Sequence, residues 1–256
     1  GIWGFKRGII VIWFRLIDLL LLRIFQRKFK MVLFSINGIR IFCFALLKVY
    51  ALLLLLPCLV AYWINQKSNF KYQIITYITS IVIAMVLALN ISLIKENYNV
   101  LEIITAKQHD FINHAAELDS KSRIEIEPLE PTFISFAINS PQSFFITFFR
   151  PFFFESKNPM MIMAGLENLL ILALLILGIY KRDSLKREQK NLFYFLIFYA
   201  VLMFILVGMV TPVMGAMVRY KVPALGMLVA SIILLGNWKI LLNNYPKLKK
   251  RLKIED

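Results

Sequence analysis

Cysteine, histidine and acidic residues are scarce in this chain of 256 residues, which holds two Cys, two His and 15 Asp plus Glu against 30 Lys plus Arg. Cys43 and Cys58 fall in one apolar segment, where the helical rise sets them about 22 Å apart. They do not pair with each other there, and a disulfide framework and a cysteine-based metal site are both excluded. His109 and His114 are spaced i, i+5, so they do not share a helix face as the i, i+4 ligands of a zinc helix do. Asp110 and His114 do share one, but His109, Asp110, Asn113 and His114 read best as surface polar residues, with no metal expected. The ten glycines build no phosphate-binding loop and no GxSxG elbow. ATP-driven transport by this chain alone is therefore unsupported, and no cofactor is expected.

What the chain has in abundance is apolar surface. Hydrophobic residues make up 59% of it and its mean hydropathy is +0.70, far above an ordinary soluble domain. The reading is an integral membrane protein. A net charge of +15 would suggest nucleic acid in a soluble chain. Here the basic residues flank long apolar runs, where orientation and anionic head groups account for them, so nucleic acid is excluded and membrane lipid is the expected partner. The chain opens on Gly1 rather than Met, which suggests a piece or the ordered part of something longer.

Five segments reach the length of about 20 apolar residues that a bilayer crossing needs: residues 41–64, 72–94, 160–180, 191–210 and 222–242. A sixth, residues 8–26, is interrupted by Arg15, Asp18 and Arg23, and either lies in the interface or spans with its charged stripe facing other helices. The fold expected is all-α, a polytopic transmembrane helix bundle of five to six spans. It divides into a basic N-terminal region (1–40), a transmembrane hairpin (41–94), an extracytoplasmic cap with an in-plane aromatic helix (95–159), a three-helix transmembrane region (160–242) and a basic tail (243–256).

Orientation follows from the basic loops. Residues 181–190 carry five positive charges and the stretch after Trp238 carries six, so both are expected on the cytoplasmic side of a bacterial inner membrane, C-terminus included. Residues 96–159 hold nine acids against five bases, a net of −4, and read as the external face. This puts Arg27, Lys28, Lys30 and Arg40 outside, against the positive-inside tendency. An extra crossing at residues 132–154 would relieve that conflict, but Pro141 and Pro151 argue against a lipid-facing helix there.

Seven phenylalanines fall between Phe144 and Phe154. Ser140 as N-cap and Pro141 at the first helical position predict a helix that lays Phe144, Phe145, Phe148, Phe149 and Phe152 along one face, in the outer head-group layer. Beyond it, Glu167 and Asn168 come about 12 Å into the span that starts at Pro159, a depth at which an ionised group needs a polar cavity or a cation. Arg219 and Lys221 are its candidate partners. Arg150, Arg219 and Lys221 together suit a phosphate or pyrophosphate head group, since guanidinium forks grip phosphate oxygens and Lys adds a point charge. Paired broken spans, the mark of many transporters, are not evident.

The external Arg-Pro-Phe-x-x-Glu segment (Arg150 to Glu155), the Glu167-Asn168 span and the late Gly-Ala-x-Val-Arg-Tyr-Lys-Val-Pro segment (Gly215 to Pro223) resemble the C-terminal part of polytopic bacterial inner-membrane proteins of envelope-polysaccharide assembly, such as multi-spanning lipid-linked glycosyltransferases and O-antigen polymerases or ligases. The resemblance covers roughly residues 96–240. It implies a polyprenyl-phosphate-linked sugar as substrate, Glu155 or Glu167 as catalytic carboxylate, Arg150, Arg219 and Lys221 on the phosphate, and Asn168 and Tyr220 in support. The acidic first external loop of such glycosyltransferases is not found. The other expectation is a non-catalytic membrane subunit that docks on further subunits through residues 96–155.

Overall fold

The computed structural model describes residues 49–68, 71–91, 99–117, 122–155 and 158–237. The expectations for residues 1–40 and 243–256 lie outside them. Among the described residues the chain is helical: α1 Val49–Lys67, α2 Gln73–Leu89, α3 Val100–Glu117, α4 Phe133–Phe149, α5 Pro159–Tyr180, α6 Arg187–Val210, α7 Met214–Tyr220 and α8 Val222–Leu235.

The centre of the bundle is α6. Its 24 residues reach about 36 Å, and half of its apolar stretch is buried, against 22% for α1 and α5. Tyr199, Ala200, Met203, Phe204 and Val207 form its inward face, against which α1, α2, α4 and α8 pack. The outer faces of the other helices are apolar too: Ile75, Val82, Val86 and Leu87 on α2 and Met163, Leu166 and Leu170 on α5 are all exposed. A water-facing surface would not carry so continuous an apolar area, whereas lipid accepts it.

Among the described residues three helices, α1, α5 and α6, are long and apolar enough to cross a membrane, or four if the bent pair α7 and α8 counts as one span. This is fewer than the five to six expected. The 17-residue α2 extends only about 25 Å, short of the roughly 30 Å of hydrocarbon, and the last span is broken at Lys221 with a bend of 53°.

One end of the bundle gathers the basic turns. The Arg187 guanidinium donates to the Ser68 carbonyl, Gln73 Nε2 donates to the Arg187 carbonyl at 3.3 Å, and Asn191 Nδ2 donates to the Tyr62 carbonyl at 3.0 Å. The loop after α5 pairs antiparallel with the end of α8: Asp183 N donates to Leu235 O at 2.9 Å and Asn237 N to Lys181 O at 2.7 Å. At the other end, α3 and the extended residues 122–130 cap the C-terminus of α6. Gln108, 1% exposed, donates to Met209 O at 2.8 Å and accepts from Leu129 N at 2.7 Å, while Ile124 N donates to Pro212 O at 2.7 Å. One buried amide thus answers a carbonyl that the end of α6 leaves open.

The aromatic helix departs from expectation. It starts at Phe133 with Thr132 as N-cap, its hydroxyl accepting from Ser135 N at 3.2 Å, and Pro141 lies inside it. Ser140 does not cap. Its hydroxyl and the Asn139 amide donate back to the Phe136 and Ser135 carbonyls, one turn earlier, at 2.7 and 2.9 Å. The helix continues through the proline because its far half is packed on α6. Phe144 and Phe148 stack on each other at 5.6 Å and meet Phe204 edge-on. This face points into the bundle, while Phe145 is exposed on the helix itself and Phe152 is exposed on the loop beyond it.

Candidate functional site

The site forms where α4 ends. In an α-helix the carbonyl of Thr147 would accept from the N–H of residue 151, but that residue is proline and has none. The ammonium of Lys221 supplies the missing donor at 3.1 Å. The same Nζ donates to Arg150 O at 2.8 Å and to Asn168 Oδ1 at 2.9 Å, so its three protons have three acceptors. Asn168 completes the seal, with Nδ2 3.2 Å from both Phe149 O and Pro151 O. The C-terminal carbonyls of α4 are therefore capped by two side chains from distant helices, one of them a cation at the negative end of the helix dipole.

Lys221 is placed there by the break between α7 and α8. Val222 and Pro223 restart the helix, and Lys221 ends the short α7 while standing as N-cap of α8. It is 1% exposed. An ammonium so buried is costly unless every proton finds an oxygen.

Two glycines permit the approach. A Cβ on Gly165 would lie 2.6 Å from Phe153 N and 2.7 Å from Phe153 Cα, so the loop after α4 runs backbone against α5. A Cβ on Gly208 would collide with Ser143 O and lie 2.5 Å from Thr147 Oγ1, so α4 crosses α6 at contact distance. Asn168 is nine residues into α5, about 14 Å from its start, and the 150–155 loop folds back beside that stretch.

The structure distributes the expected site residues unequally. Arg150 Nε pairs with Glu155 Oε1 at 3.1 Å, and Glu155 Oε2 also accepts from Phe152 N at 3.0 Å. Lys221 and Asn168 meet in the knot. Arg219 does not join them: it is exposed and its Nε donates to Gly215 O, on its own helix, at 2.9 Å. Glu167 is exposed on α5 and enters no ion pair among the described residues. Neither candidate partner of Glu167, Arg219 or Lys221, forms an ion pair with it among the described residues. Tyr220 is half-buried and meets Phe111 of the cap edge-on at 6.1 Å. His109, Asp110, Asn113 and His114 are exposed on α3.

Sequence reasoning did not find Thr147, Ser143, Gly165, Gly208 or Gln108. A usable signal existed for Thr147, because a proline four residues on always strands a carbonyl in a helix that reaches it. No family model, curated protein or solved structure matches this chain.

Proposed function

We propose that this chain is a multi-pass protein of the bacterial inner membrane, with residues 181–190 and the C-terminus cytoplasmic. It binds or acts on a polyprenyl-phosphate-linked sugar in envelope-polysaccharide assembly. The carrying observation is the loop that the Lys221 knot fastens to α5. It presents Phe152, Phe153 and Phe154, all exposed, directly after the half-exposed Arg150, an apolar surface beside a guanidinium. A phosphate with a polyprenyl tail has that composition. Arg150 and the exposed Arg219 are the groups assigned to its oxygens, and Lys221 changes role from ligand to fastener, because its protons are all engaged. Of the two carboxylates, Glu167 is the better general base, since Glu155 already holds Arg150 and Phe152 N.

The second reading, a non-catalytic membrane subunit, is favoured by one observation: Glu167 stands exposed among Met163, Leu166 and Leu170, a face that a neighbouring helix with a donor would cover.

The test is binding of a short-chain polyprenyl phosphate to the purified protein in nanodiscs, with the matching polyprenol as control. The phosphate should bind and the alcohol should not, and Arg150→Gln with Arg219→Gln should weaken binding at least tenfold. Equal binding of phosphate and alcohol, or an unchanged double variant, overturns the substrate reading.

A further inference from the structure

At the opposite end of the bundle lies a cleft of about 570 Å³, between the α5–α6 loop, the first turns of α6 and the end of α8. Arg182 and Lys190 stand on its walls with Ser184 and Tyr194, while Phe193 and Leu235 line its apolar side. Both cations are exposed, and among the described residues neither enters an ion pair. Their frame is ordered. The bonds from Asp183 N to Leu235 O and from Asn237 N to Lys181 O tie the loop to α8, and Lys186 N donates to Gln189 Oε1 at 2.8 Å to start α6. Asp183, the one acid of the cleft, accepts from Ser184 N at 2.8 Å.

We infer that this cleft is a binding site for the phosphate head group of an anionic phospholipid. Tyr180 ends one candidate span and Arg187 begins the next, so the cleft sits at the level where hydrocarbon gives way to phosphate. A planar guanidinium, an ammonium and two hydroxyls are the donors a phosphodiester takes, and Phe193 and Leu235 meet the start of the acyl chains. The excess of two cations over one carboxylate selects a net-negative head group over a zwitterionic one. This site is separate from the Lys221 knot and does not depend on its ligand.

The experiment is native mass spectrometry of the full chain released from nanodiscs of phosphatidylcholine doped with phosphatidylglycerol. The wild type should retain phosphatidylglycerol at least fivefold over its share of the bilayer. Arg182→Gln with Lys190→Gln should abolish that enrichment, and so should Leu235→Trp, which fills the cleft without touching charge. Lys181→Gln with Lys186→Gln, which removes the same charge from the same loop outside the cleft, should leave enrichment within twofold. Equal loss in both charge pairs means a diffuse basic surface and overturns the site, as does no enrichment in the wild type. Displacement of the lipid by millimolar glycerol 3-phosphate would assign the cleft to a soluble phosphate ester and overturn the lipid assignment.

Discussion

Asn168 of α5 and Lys221 at the α7–α8 break share a hydrogen bond of 2.9 Å, and together they close the open end of α4. The pair fixes where the loop carrying Arg150 and Glu155 can lie.

Lys221→Met keeps an unbranched side chain, one atom shorter, and removes the three donors. The carbonyls of Thr147 and Arg150 and the Asn168 oxygen lose a partner in a dry environment, at about 1–3 kcal/mol for each group left unmet. We expect a loss of at least about 3 kcal/mol, read as a large drop in thermal midpoint in detergent. A midpoint unchanged from wild type would show that the ammonium does not hold the loop.

Gly208→Val tests the α4–α6 crossing. Its Cβ would run into the Ser143 carbonyl, which is backbone and cannot swing away, so α4 must shift. Overpacking of this kind costs about 1–3 kcal/mol. A cysteine pair bridging α4 and α6 should crosslink in the wild type and fail in the variant, whereas equal crosslinking refutes the close approach.

Gln108→Leu should free the cap without unfolding the bundle. Met209 O and Leu129 N lose their buried partner, at about 2 kcal/mol or more. Limited proteolysis should then cut within residues 122–130 faster than in wild type, while α5 and α6 stay protected. No change in cleavage rate would mean the cap is held by other contacts.

Arg150→Gln should separate function from stability. The Arg150–Glu155 pair is partly open to solvent, with side chains 35% and 16% exposed, and such pairs contribute about 1 kcal/mol or less. The thermal midpoint should move little while phosphate binding falls. A fall in stability with binding retained would make Arg150 structural.

Orientation is tested by cysteines at Glu125 and Ser184, both exposed, after replacing Cys43 and Cys58 with Ala. An impermeant thiol reagent on intact cells should label position 125 and leave position 184 unlabelled. The reverse pattern would invert the assignment of faces.

The long helices were legible because their signals are local. Asn158 accepts from Met160 N at 3.1 Å as N-cap and Pro159 opens α5, which coincides with the expected segment 160–180 to within one residue. Ser140-Pro141 carries the same kind of local signal and misled, because packing of Ser143, Thr147 and Phe148 on α6 continues the helix through it. Lys221 was legible as a cation next to a helix restart, but not as a buried one. Its burial depends on the stranded Thr147 carbonyl 74 residues earlier, a relation that no window of sequence contains.

The distances along the chain between Gln108 and Met209, 101 residues, and between Thr147 and Lys221, 74 residues, set an order of events during synthesis. At roughly 5–20 residues per second, the cap emerges about 5–20 s before its anchor on α6 exists. The end of α4 likewise waits for its lysine. Until α6 arrives neither contact can form, and until Lys221 arrives the end of α4 has none, so a chain released just after Val210 would be one whose cap can dock but whose α4 still has no fastener.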